Sequence, residues 1–271
     1  MSRYDEPGTP PPPDPAALPE SGPHQFPGGP LSPAEFPKGF WRGVDYLLHH
    51  PDEIIESLRL DRDLWRISRI LFGVSVVMAA LYGAIMGATN LLQGSPMMLG
   101  PKVALIGIVA LKVPVLFLLT LLIVLPPVYV SNTFAGARLS FRQMLALVLC
   151  SLAITTTALA SMATVALFFS LTSRSYDFLK LLHVAFFVYA GLVGIGYLRR
   201  CVDSLGASVS RAVPRGLFVL WLLLYMFVGT QLAWVLRPFV GSPNEPFQVF
   251  RPRTGSFIES VARSVRRVIS E

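Results

Sequence analysis

Five apolar stretches, each long enough to cross a bilayer, constrain this chain more than any other feature. They run approximately from Ile67 to Leu92, Val103 to Val130, Met144 to Leu171, Phe178 to Leu198 and Leu217 to Val240. A hydrocarbon core about 30 Å thick needs about 20 helical residues to span it, and inside it every backbone N–H and C=O must be satisfied by the segment itself. The sequence therefore predicts an all-α polytopic bundle of about five membrane-spanning helices. Composition agrees: 53% of the 271 residues are hydrophobic and only 14% are charged. The second and third stretches exceed a minimal span, which predicts tilt or an interfacial extension. Turn signals separate the five: Gln93-Gly94-Ser95-Pro96, Ser131-Asn132 with Gly136, Ser173 to Asp177, and the longer Arg199 to Arg215.

The flanks have a different character. Residues 1–37 are proline-rich, with the run Pro10, Pro11, Pro12 and Pro13 and almost no aliphatic side chains. That composition predicts a disordered, extended tail rather than a cleavable signal peptide, and a polyproline stretch can dock a protein partner. In residues 38–65, Phe40, Trp41, Val44, Leu47 and Leu48 recur at helical spacing. Pro51, Asp52 and Glu53 then make a helix start, since proline needs no N–H there and acids meet the positive dipole end. Ile54, Ile55, Leu58 and Leu60 follow, interleaved with Arg59, Arg62 and Arg66. The pattern predicts amphipathic helices lying along the membrane surface. His49 and His50 sit at the bend between them, with no further metal ligands near.

The transmembrane domain is assigned to residues 66–240, with a tail over 241–271. Trp234, Arg237, Pro238 and Phe239 close the last span as an interfacial belt. In the tail, Ser256 and Glu259 have capping-box spacing. Phe257, Ile258, Val261, Val265, Val268 and Ile269 share one face of a helix, and Arg263, Arg266 and Arg267 occupy another. This helix is read as an interfacial anchor or a docking helix for a protein partner; the candidate partner-binding residues are its Arg263, Arg266 and Arg267 together with Arg237 and Phe239 at the close of the last span.

The net charge of +7 comes from these basic flanks and reads as contact with the lipid bilayer, not with nucleic acid. Basic residues cluster before the first span, near Arg142, and between Arg199 and Arg215, which places the N-terminus in the cytoplasm. Five crossings then put the C-terminal arginines outside, against the rule. A second segment that re-enters instead of crossing would remove the conflict, and Pro114, Pro126 and Pro127 make it the candidate because each removes a helix donor.

Polar groups inside the spans carry the functional expectations, because a charge at mid-bilayer is costly. Lys112 lies about ten residues into the second segment beside Pro114, where it either faces a cavity or snorkels to the interface. His183, one turn after Lys180, either joins a proton path or, since both lie near the start of the fourth span, takes the cheaper interfacial position. Gln231, beside Thr230 in the fifth, is expected to bond a neighbouring helix. Asp and Glu are missing from all five stretches. Cys150 and Cys201 have no CxxC spacing and read as packing residues. Gly83 with Gly87, Ala190 with Gly194, and the row Thr155, Thr156, Thr157, Ala160, Ser161 and Thr164 predict close helix packing within the bundle, with hydroxyls bonding across the contacts.

The stretches Tyr82-Gly83-Ala84-Ile85-Met86-Gly87, Leu111-Lys112-Val113-Pro114, Leu139-Ser140-Phe141-Arg142-Gln143 and Gly229-Thr230-Gln231-Leu232-Ala233-Trp234, continuing through Leu236-Arg237-Pro238-Phe239, resemble an uncharacterised family of bacterial multi-span inner-membrane proteins. Its members sometimes carry an actin-binding WH2 label. The resemblance covers about residues 66–251, and nothing in the chain looks like a WH2 helix followed by its basic motif. A looser likeness, in span number and cytoplasmic N-terminus, is to Yip1-like membrane proteins, and it implies a role in membrane organisation. No HExxH, GxSxG or paired intramembrane aspartates are present. The expectation is a non-enzymatic scaffold, assembly or membrane-organisation factor without cofactor or metal; the alternative is a transporter or channel subunit using Lys112 and a proline-broken second span.

Overall fold

A computed structural model describes residues 39–60, 63–92, 99–136, 139–173, 175–208 and 214–236. The tail expected over 1–37, the C-terminal helix with Arg263, Arg266 and Arg267, and the span-closing Arg237 and Phe239 lie outside the described residues. Within them the chain is all-helical: α1 (Phe40–His49), α2 (Pro51–Arg59), α3 (Leu64–Leu92), α4 (Leu99–Phe134), α5 (Phe141–Ser161), α6 (Ala163–Thr172), α7 (Tyr176–Ser208) and α8 (Arg215–Leu236). Five spans result, because α5 and α6 continue end to end through a break at Met162 and count as one.

The central helix is α3, packed between α4 and α5; α7 lies on α5 and α8 on α4. Glycine explains how closely α3 meets α4. A Cβ on Gly83 would come 2.7 Å from the Val109 carbonyl oxygen, and one on Gly87 would come 2.9 Å from the Ile106 Cα. Only a residue without a side chain lets the backbones approach this far. Gly194 of α7 plays the same part against Thr155 of α5, and the Ser151 hydroxyl donates to the Gly194 carbonyl across that contact at 2.9 Å. The hydroxyls of the expected row behave differently. Thr155, Thr156, Thr157 and Ser161 all bond carbonyls of their own helix three or four residues back. Intrahelical acceptors lie within reach before any tertiary contact forms.

The three prolines do not break the second span. One continuous helix of 36 residues carries Pro114, Pro126 and Pro127 in its interior. Each proline forfeits one helical bond, whereas a re-entrant turn in hydrocarbon would strand many more backbone groups. Ser131 and Asn132, expected in a turn, belong to the last turn of α4, and the reversal falls at Gly136, whose φ of 76° suits glycine. Ser131 is held in the helix by tertiary use. Its hydroxyl donates to the Val128 carbonyl at 2.9 Å and accepts from Trp221 Nε1 of α8 at 2.8 Å. Likewise the expected connection from Arg199 begins as helix, since α7 runs on to Ser208 and buries Cys201, Val202 and Leu205.

At the start of α5, Ser140 and Gln143 form a capping box. The Gln143 N–H donates to the Ser140 hydroxyl at 3.2 Å, and the Ser140 N–H donates to the Gln143 side-chain oxygen at 2.9 Å. The Gln143 amide nitrogen also donates to the Leu58 carbonyl at 3.1 Å, which ties α2 to α5. Tyr46, Leu47, Ile54, Ile55 and Leu58 bury the apolar face of α1 and α2 in one cluster with Ile67, Leu71, Met144 and Leu147. The amphipathic pair therefore spends that face on the bundle, not on lipid as expected, and keeps only side chains such as Trp41, 75% exposed, for the surroundings.

Candidate functional site

α7 and α8 form no extended contact with each other. The space between them, floored by α4 and α5, is a cavity of about 700 Å³, within the range of about 300–1,000 Å³ usual for small-molecule sites. Its walls are mostly apolar: Phe117 and Val124 from α4, Leu147 from α5, Val188 and Leu192 from α7, Met226 from α8. Because consecutive spans run antiparallel, the start of α7 and the end of α8 share one end of the bundle, where Tyr176, Lys180 and Trp234 line the mouth.

His183 lies one turn deeper than Lys180 and also lines the cavity. It stands two turns into α7, and it is 1% exposed. The reason is Tyr82 of α3, fully buried, whose hydroxyl lies 2.7 Å from His183 Nδ1. The Tyr82 ring meets the His183 and Phe187 rings edge-on, each at 5.7 Å, and Phe187 stacks on Phe117 at 5.9 Å. His183 Nε2, also buried, has no hydrogen-bond partner among the described residues. We assign the phenol as donor to Nδ1, because the opposite assignment leaves its hydrogen without an acceptor; the ring proton then sits on Nε2. The arrangement leaves one N–H donor unsatisfied among the described residues, on a residue that lines a mostly apolar cavity.

The structure does not bring the other intramembrane candidates to this site. Lys112 is buried at 6% exposure, so it does not snorkel to a surface, yet neither it nor Pro114 lines the cavity. Lys112 sits just over one turn, and Pro114 less than one turn, before the lining residues Leu116 and Phe117 on α4, with Val113 turned to Gly83 of α3. Gln231, expected to bond a neighbouring helix, is exposed. It falls on the outer stripe of α8 with Leu220, Leu223 and Phe227, because Trp221 and Tyr225 turn the opposite face inward. Cys150 and Cys201 are buried free thiols, the first 3.4 Å from the Tyr197 hydroxyl. Sequence reasoning missed Tyr82 as a polar partner and missed the buried pair Thr89 and Ser170, 3.1 Å apart across α3 and α6.

Away from the spans, the bend between α1 and α2 gathers three polar side chains. The Tyr46 hydroxyl donates to Glu53 at 2.5 Å, and His50 Nδ1 lies 3.2 Å from the same carboxylate. Burial, together with that carboxylate, pushes the Tyr46 phenol above its ordinary pKa. His49 pairs with Asp45 at 3.0 Å on the exposed side. Among the described residues no three His, Cys, Asp or Glu side chains gather as a metal site. No protein-family model, curated protein or solved structure matches this chain.

Proposed function

We propose that this integral membrane protein is a non-catalytic scaffold, assembly or membrane-organisation factor of a bacterial inner membrane, a member of the multi-span family it resembles. One observation carries the reading: the α1–α2 pair is fixed to the bundle by a shared apolar cluster and by the Gln143 bond to Leu58. A segment that only tethered a tail would need neither. So anchored, the pair is a fixed part of the bundle, on the same chain as the proline-rich residues that would dock a protein partner. A cytoplasmic position for this end is supported by the exposed Arg42, Arg69, Arg142, Arg199 and Arg215 around it.

The test places a photo-crosslinking residue in the 1–37 tail of the full chain in intact membranes. Discrete heterologous adducts are expected, and they disappear in Ile54→Asp, which undocks α2 while the spans stay inserted. Adducts unchanged by undocking would overturn the reading. A transporter or channel is favoured by one feature only, the buried Lys112; the unbroken α4 withdraws the interrupted-helix argument. Lys112→Met without change in any flux the protein supports would remove that alternative.

A further inference from the structure

We propose that the cleft between α7 and α8 is a binding site for one bilayer phospholipid, with His183 Nε2 donating a hydrogen bond to an ester or phosphate oxygen of the lipid. The inference is independent of the scaffold reading and goes beyond it.

Three observations fix the class of occupant. The cavity walls are mostly apolar, and the two spans that flank it make no extended contact with each other, so a gap between membrane-spanning helices meets acyl chains rather than water. The ligand must also bring an acceptor, since the Nε2 proton has no partner among the described residues, and a buried donor left unpaired costs on the order of 1–3 kcal/mol.

Depth supplies the third. α7 has 33 residues and is about 50 Å long, against a hydrocarbon core of about 30 Å, so each end of a centred helix overhangs by about 10 Å. His183 stands about 10 Å along the helix from Tyr176, at the boundary of the hydrocarbon where glycerol esters lie. From His183 down to Leu198, the deepest α7 residue lining the cavity, is about 22 Å. That exceeds half the hydrocarbon thickness, so a chain of one leaflet fits along its whole length. Lys180 and Tyr176 at the mouth suit the phosphate end.

The experiment reconstitutes the full chain in phosphatidylcholine–phosphatidylglycerol vesicles containing a trace of phospholipid with a diazirine in its acyl chain, and maps adducts by peptide mass spectrometry. Adducts at Val188, Leu192 and Met226 are expected to exceed those on the outer face of α8, at Leu220, Leu223 and Phe227, by about fivefold or more. Gly191 lines the cavity and has nothing within 4 Å of its would-be Cβ, so Gly191→Phe fills the cleft and should abolish the excess. Gly196→Phe puts the same bulk on α7 outside the cleft, again with nothing near, and should leave the excess in place. If both variants lose it, folding rather than filling is at fault, and His183→Leu decides: phospholipid retained through detergent exchange should fall about tenfold. Equal labelling of cleft and outer face in the wild-type chain would overturn the proposal, as annular lipid only. So would an unlabelled cleft in which cysteines at Leu192 and Met226 crosslink to a second copy or to the chain's own C-terminal segment. Retention unchanged in His183→Leu would overturn the assigned hydrogen bond.

Discussion

Tyr82 and His183 stand 101 positions apart in sequence and 2.7 Å apart in the fold. Each is a polar group set in an apolar helix, and each alone would be a liability there. Their energetics are therefore mutual. Tyr82→Phe removes the donor and leaves His183 Nδ1 without its partner, so it should destabilise the protein by about 1–3 kcal/mol. His183→Phe strands the phenol in the same way. The double variant should be less damaged than the sum of the singles, with a coupling of about 0.6 kcal/mol, the typical value for hydrogen bonds between membrane helices, and at most about 1.7. Unfolding of the full chain in detergent, followed for all four forms, gives the cycle; strict additivity would mean that the pair is not bonded. From sequence, His183 was visible as a polar residue in a span, but its partner was not. Nothing in the neighbourhood of Tyr82 marks which of five helices it faces, and only packing decides that.

Helices were more legible than side-chain partners, and glycine more than proline. Gly83 and Gly87 announce a close contact because a missing Cβ acts by sterics alone, and the α3–α4 interface is where they act. The prolines misled because the loss of one donor per proline is set against the whole helical ladder, a comparison no local window makes. Ends were obscured for a similar reason: α7 outruns its apolar stretch since Cys201, Val202 and Leu205 find cover. The glycine argument yields a contrast within one interface pair. Gly83→Ala sets a Cβ 2.7 Å from a backbone oxygen, and the helices must part, at a cost of about 1–3 kcal/mol. Gly107→Ala, on α4 with nothing within 4 Å, meets no obstacle and should gain up to about 1 kcal/mol from helix propensity. Opposite shifts of melting temperature in detergent are expected; a loss at both positions would mean that α4 is turned differently against α3.

At the scale of the molecule, the number of spans could be read from composition, whereas their arrangement could not. Half of the most apolar stretch of α3 is buried but only 6% of that of α8, although the two are alike in hydropathy; order of packing, not sequence, separates a central helix from a peripheral one. Five spans place the start of α3 and the end of α8 on opposite faces of the membrane. That pits two forces against each other, because the arginines beyond α8 favour the cytoplasm while the helix count carries them across. An apolar span commits more free energy than a few flanking charges, each of which contributes about 1 kcal/mol near an anionic surface, so the count should win. Single cysteines at Ser260 and Ser270, with a control at Ser21, in a Cys150→Ala and Cys201→Ala background, report the outcome through a membrane-impermeant maleimide. Labelling of the C-terminal pair on intact cells, with Ser21 protected until permeabilisation, is the expected result. Protection of all three would mean an even number of crossings, and α8, the least buried span, would then lie on the membrane rather than through it.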